Sequence, residues 1–212
     1  MRNHKLTGLY VITDATQTDQ QQLINDVEQA LFGGARIIQY RDKTAQHKQR
    51  LTTARQLHKL TRQHNALFII NDDINLASDS QADGVHLGQD DLSISAARAQ
   101  LSPAAIIGTS CYNDLSLAKQ AVSDGADYIA FGRFFPSRTK PYATQADVKI
   151  LCAAKRELNI PIAAIGGITI ENAGMLINAG ADMLAVVDDI FSQTDIKAAA
   201  YQYQQQFFEK LL

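Results

Sequence analysis

The 212-residue chain has only two cysteines, four prolines, no apolar run long enough to span a bilayer and no excess of positive charge. Each scarcity excludes something. Cys111 and Cys152 form neither a CxxC pair nor a disulfide-rich framework, so a reducing cytoplasm is the expected setting. Cys152 is expected to fill a helix core, and Cys111, beside a strand end without an adjacent His, to be an inert thiol. With so little proline, glycine evenly spread and no Ser-, Gln- or charge-rich linker, residues 1–212 are expected to form one domain. The segments Gln17 to Gln22 and Gln202 to Gln206 are only locally polar. A formal net charge of −2 lacks the basic excess that a nucleic acid or an anionic membrane would demand, which leaves small molecules as partners. Met1 to Lys5 lead into only the short run Leu9 to Ile12, too brief for a signal-peptide core.

What is present is a repeat. Eight short β-rich runs punctuate the chain: Leu9 to Ile12, Ile37-Ile38, Leu67 to Ile70, Val85 to Leu87, Ile106-Ile107, Tyr128 to Phe131, Ile162 to Ile165 and Leu184 to Val187. Helical stretches separate most of them, among them Leu23 to Phe32, Lys48 to His64, Leu115 to Ser123, Asp147 to Leu158 and Glu171 to Ala179. Just before a strand stand Gly34-Ala35-Arg36, Gln81-Ala82-Asp83, Gly125-Ala126-Asp127 and Gly180-Ala181-Asp182. They read as a diverged internal repeat in which a Gly at C′ can end the helix with positive φ and a small Ala admits a tight turn. Alternation of this kind predicts parallel strands with crossover helices, and eight units in this length predict a compact (β/α)8 TIM barrel, with a doubly wound open sheet as the alternative. In both, ligands bind at the carboxyl ends of the strands.

Those ends are polar. Gln39, Arg41 and Lys43 alternate after the second strand and would share one face, forming an anion hook or, on the plainer reading, a solvated strand exit. Asn71-Asp72-Asp73 and Gln89-Asp90-Asp91 follow the next two strands; such oxygen-rich ends suit Mg²⁺ shared with a phosphate, although each Asp could instead cap a helix. His86 reads as a structural histidine in an apolar strand. Ser110 closes the fifth strand. The loop Phe134 to Pro141, carrying Ser137, Thr139 and Lys140, reads as a phosphate-grasping flap, and Gly166-Gly167 before a helix exposes amides suited to a second phosphate. Arg41, Lys43, Lys140 and one Mg²⁺, set against two Asp ligands, leave about +3, matched to a diphosphate of roughly −3.

Taken in order, Gln39-x-Arg41-x-Lys43, Asn71-Asp72, Gly84 to Gln89 with Asp91, Gly108-x-Ser110, Pro136-Ser137-x-Thr139-Lys140 and Ile165 to Ile168 resemble thiamine phosphate synthases over nearly the whole chain. The resemblance implies a barrel enzyme of the transferase class that joins a hydroxymethylpyrimidine diphosphate to a thiazole phosphate with Mg²⁺ and releases pyrophosphate. It implies that Gln39, Arg41, Lys43, Asn71 and Lys140 hold the diphosphate and that Asp72 and Asp91 bind metal. Ser110 would contact the pyrimidine, and Ser137, Thr139, Gly167 and the backbone of Val187-Asp188 the thiazole phosphate. Asp188 stands where the family usually has Ser, Asn75 where an acidic residue is common and Arg133 where Pro is frequent. A thiazole tautomerase of the same barrel family and a non-catalytic binder of thiamine precursors are the alternative readings.

Overall fold

A computed structural model describes residues 6–13, 19–136 and 144–209. Strands and helices alternate: β1 (Gly8–Ile12), α1 (Gln20–Phe32), β2 (Ile37–Tyr40), α2 (His47–Gln63), β3 (Leu67–Asn71), α3 (Ile74–Ser80), β4 (Gly84–Leu87) and α4 (Ile94–Gln100). Then follow β5 (Ile106–Tyr112), α5 (Leu115–Ser123), β6 (Tyr128–Phe131), α6 (Lys149–Glu157), β7 (Ile162–Ile165), α7 (Ile170–Ala179), β8 (Met183–Val186), the short α8 (Asp188–Phe191) and the closing α9 (Ile196–Glu209). All strand pairs are parallel, and β1 pairs with β8 through Gly8↔Met183 to Val11↔Val186, which closes the barrel and excludes the open sheet.

Period-two alternation divides the strands cleanly. Tyr10, Ile12, Ile37, Leu67, Ile69, Ile106, Tyr128, Ala130, Ala163, Met183 and Ala185 pack together inside the barrel. The opposite parity, such as Leu9, Val11, Ile38, Phe68 and Ile70, faces the helices. Both faces are therefore buried, as parallel sheets require. Mixing large Tyr and Ile with small Ala on the inner face lets successive layers fill the lumen.

The four repeat turns behave alike. Gly34, Gln81, Gly125 and Gly180 adopt φ of 100°, 57°, 90° and 118°. The next amide, on Ala35, Ala82, Ala126 and Ala181, donates back to the carbonyl five residues earlier at 2.9–3.0 Å, a Schellman closure that satisfies an orphan helix carbonyl. A fifth copy, Asn65 (φ 55°) with Ala66 N–H to Thr61 O at 3.0 Å, carries no glycine and escaped the sequence pattern. The Asp that follows ties the turn to the neighbouring strand. Asp83, Asp127 and Asp182 each accept an amide at the start of the preceding strand, the second residue's in Phe68 and Ile107 and the first residue's in Ile162, at 2.8 Å. Arg98 and Lys155 complete Asp127 and Asp182 as ion pairs. These contacts lie at the barrel's amino-terminal face, where they serve stability. Asp127→Ala should lower the unfolding free energy by about 1.5–3 kcal/mol, read from urea midpoints, by orphaning the Ile107 amide and removing the carboxylate from Arg98, which keeps its bonds to Ala105 O and Gly125 O, while leaving activity of the folded fraction unchanged.

One expectation changes. Cys152 is exposed rather than core filler, its thiol donating to Ala179 O at 3.3 Å, because it lies on the outer face of α6. The polar run at Gln202 to Gln206 lies within α9, whose buried face is carried by Ala200 and Tyr203. Cys111 is buried, and burial pushes its thiol up to about 12, consistent with inertness.

Candidate active site

At the carboxyl ends the inward-facing positions turn polar: Gln39 on β2, Asn71 on β3, His86 on β4 and Ser110 on β5, above the Tyr10 and Tyr128 phenols. They border a cavity of about 430 Å³ that also takes in Arg41, Gly167, Val187 and Asp188. A wider, shallower depression of about 750 Å³ between α2 and α3 lies on the outer helices, away from every strand end.

Of the Gln39-Arg41-Lys43 series, Gln39 and Arg41 border the same cavity, while Lys43 is exposed. The strand ends at Tyr40, so period-two alternation stops before Arg41. Gln39 is 2 % exposed and already engaged, its Oε1 accepting from Tyr10 Oη and its Nε2 donating to Asn71 Oδ1, both at 2.7 Å. Arg41 reaches the cavity because Thr13 fixes its backbone: Thr13 N–H donates to Gln39 O at 2.9 Å, and Arg41 N–H donates to Thr13 Oγ1 at 3.0 Å. Asp42 turns away and accepts from the amides of Thr44 and Ala45 and from the Tyr40 hydroxyl. Burial acts against ionisation there, but these donors hold its carboxyl below the usual carboxylate range. Lys43 is 62 % exposed and pairs with Asp72 at 3.0 Å. Among the described residues, Arg41 has no carboxylate at ion-pair distance.

The acidic ends divide by role. Asp73 caps α3, accepting from Leu76 N–H at 2.9 Å, and pairs with Arg50. The cap of α4 is Ser93, not Asp90 or Asp91. Asp91 Oδ2 instead accepts from Gly88 N–H at 2.6 Å and stands beside Asp72. Burial and the neighbouring Asp72 raise the Asp91 carboxyl above its ordinary value, against the lowering pull of the Gly88 amide and Lys43. Among the described residues no cluster of three or more His, Cys, Asp or Glu side chains forms. Two adjacent carboxylates nonetheless suit Mg²⁺, which takes one or two protein carboxylates and fills its sphere with water and phosphate oxygens.

Across the cavity, Gly166 and Gly167 (φ 103° and 62°) make the turn from β7 into α7, whose Thr169 and Asn172 form a capping box. A side chain at 167 would place its Cβ 2.2 Å from Pro136 O, so only glycine fits between that loop and the helix start. Val187 precedes α8, and Asp188 is its first residue. Ser137, Thr139 and Lys140 lie outside the described residues. Sequence reasoning set His86 aside and passed over Tyr10, Thr13 and Tyr128. His86 Nδ1 lies 2.9 Å from Tyr128 Oη and its Nε2 3.0 Å from Ser110 Oγ, and strand parity would have revealed it, since it shares Gly84's inward register.

Comparisons with known proteins agree with this arrangement. A family model described as thiamine monophosphate synthase matches residues 9–190. The thiamine-phosphate synthase of Alcanivorax borkumensis is 51 % identical over 202 residues, covering 94 % of this chain and 93 % of that protein. That of Methylobacillus flagellatus is 50 % identical over 210 residues, covering 98 % and 100 %. Among solved structures, thiamine phosphate pyrophosphorylase from Pyrococcus furiosus superposes with a TM-score of 0.89 at 34 % identity, covering 99 % of this chain and 100 % of that one. A closed eight-stranded barrel, a polar layer at its carboxyl end and matching sequence over nearly its full length place this chain in the thiamine monophosphate synthase family.

Proposed function

We propose that the protein condenses 4-amino-2-methyl-5-hydroxymethylpyrimidine diphosphate with thiazole phosphate, giving thiamine phosphate and pyrophosphate. The observation that carries the reading is the placement of Arg41 and Asn71 in the cavity, next to a Lys43-tethered pair of carboxylates, Asp72 and Asp91. Neither a tautomerisation nor simple binding of thiazole phosphate needs that set.

The chemistry asks for stabilisation of a leaving group. As the bond from the pyrimidine methylene to pyrophosphate breaks, negative charge grows on the departing oxygens. Arg41 offers a planar fork of N–H donors to them, from a backbone that Thr13 holds in place. Lys43, already drawn in by Asp72, adds charge at the edge of the carboxylate pair. Asp72 and Asp91 would hold Mg²⁺, which when bound supplies positive charge to the pyrophosphate oxygens. The thiazole nitrogen attacks the methylene carbon, so no enzyme nucleophile is required. The turn at Gly166-Gly167 and the backbone of Val187-Asp188 border the same cavity and would hold the thiazole phosphate. Ser137, Thr139 and Lys140 are assigned to the phosphates on sequence grounds.

With both substrates and Mg²⁺, purified protein should release pyrophosphate stoichiometrically with thiamine phosphate, and excess chelator should abolish release until Mg²⁺ is restored. Turnover of thiazole phosphate alone, without metal or pyrimidine, would favour the tautomerase reading instead.

A further inference from the structure

Five hydrogen bonds join six side chains across the barrel lumen. In order they run Asn71 Oδ1 to Gln39 Nε2 (2.7 Å), Gln39 Oε1 to Tyr10 Oη (2.7 Å), Tyr10 Oη to Tyr128 Oη (2.8 Å), Tyr128 Oη to His86 Nδ1 (2.9 Å) and His86 Nε2 to Ser110 Oγ (3.0 Å). Both ends open on the cavity. Burial keeps both phenols far above their ordinary pKa, so each carries one proton and donates once.

Proton bookkeeping then sets the direction of every bond. Gln39 Oε1 has no hydrogen, so Tyr10 spends its proton there. Tyr128 must donate the next bond to Tyr10. Its oxygen has none left for His86, so His86 Nδ1 carries the hydrogen. On the proposal that follows, His86 is held as the neutral imidazole, whose single N–H leaves Nε2 to accept from Ser110. The serine oxygen is left with lone pairs facing the cavity.

We propose that Tyr10, Tyr128 and His86 are positioning residues that lock the Ser110 hydroxyl as a hydrogen-bond acceptor for an exocyclic amino group of the substrate ring. The inference rests on the aminopyrimidine reading above. The opposite end supplies the reason for the direction. Asn71 turns its oxygen to Gln39 and keeps its NH₂ group for the cavity, beside Arg41, where an anion needs donors. Reversing the chain would require both amides to flip and would present Asn71 Oδ1 to that anion. One relay therefore offers a donor at the anionic end of the substrate and an acceptor at its amino end.

Histidine-selective ¹⁵N NMR of the substrate-free protein, with the His86 signal assigned through His86→Gln, tests the relay without reference to turnover. The expected result is the Nδ1–H tautomer. Tyr10→Phe frees the Tyr128 proton and should move His86 toward Nε2–H, although Tyr10 makes no hydrogen bond to His86. Tyr128→Phe should give mixed tautomers and serves if the first variant folds poorly. Calorimetric binding with Mg²⁺ should show roughly tenfold weaker affinity for 2-methyl-5-hydroxymethylpyrimidine diphosphate than for its 4-amino parent, and Tyr10→Phe should erase most of that difference. Nε2–H or doubly protonated His86 in the wild type, spectra unmoved by both tyrosine variants, or equal affinity for the two diphosphates would overturn the proposal. Failure to release pyrophosphate would count against the reaction alone, since the tautomer is read without it.

Discussion

Alanine at position 41 should lower kcat/KM for pyrophosphate release by about 10- to 150-fold, the equivalent of about 1.5–3 kcal/mol for one lost charge-assisted hydrogen-bonding group. The loss should fall mainly on kcat, because the negative charge that Arg41 meets is greatest as the leaving group departs. Stability should hardly change. The two bonds that fix this segment, Thr13 N–H to Gln39 O and Arg41 N–H to Thr13 Oγ1, are made by backbone and threonine and survive the substitution. Lys43→Ala should cost less, since its charge is exposed and already shared with Asp72. Steady-state pyrophosphate release at saturating Mg²⁺, with urea midpoints beside it, separates the two variants; an Arg41→Ala rate equal to wild type would remove Arg41 from the leaving-group site.

How much of this could be read from the chain follows from what each signal depends on. The barrel was legible because its determinants are local: apolar runs of the right length, helical intervals, and the Gly-Ala turns whose positive φ and returning amide recur at Gly34, Gly125 and Gly180. Closure was not, since the β1–β8 pairing joins the two ends of the barrel and leaves no local trace. Within the site, the acidic pattern alone did not separate Asp72 and Asp91 from Asp73 and Asp90; the family resemblance named them, and the structure gives Asp73 the cap of α3. The anion hook was drawn by carrying period-two logic past Tyr40, where the strand ends; Gln39 and Arg41 border one cavity, and Lys43 pairs with Asp72. His86 was discounted for a sound general reason, that a lone histidine in an apolar strand is commonly structural. Its partners Tyr128 and Ser110 lie 42 and 24 residues away, a distance over which no spacing rule operates.

The same relay explains a small feature of β5, the Gly108-x-Ser110 spacing. Residues 108 and 110 share the inward face, and Gly108 lies directly beneath the Tyr128 ring. A Cβ there would stand 1.9 Å from Tyr128 Cζ and 2.4 Å from its Oη. The ring has little room to retreat: it is fully buried, meets Tyr10 edge-on at 6.0 Å and stacks on His86 at 5.6 Å. Gly108→Ala should therefore displace the phenol and break its bonds to Tyr10 and His86. Overpacking costs about 1–3 kcal/mol and each lost buried hydrogen bond about 1 kcal/mol, so destabilisation of about 3–5 kcal/mol is expected. For a chain of this size that lowers Tm by about 6–20 °C, measurable by calorimetry. The fraction that folds should also lose its preference for the 4-amino diphosphate, because Ser110 is no longer held. In a Tyr128→Leu background the ring atoms that collide are gone, and adding the methyl at 108 should cost less than in the wild type. Equal cost in both backgrounds would show that strand backbone, not the tyrosine, demands glycine at 108. The bare position two residues before the serine is on this account part of the same device as the serine: it makes room for the ring that orients His86, and through His86 it sets which way the Ser110 proton points.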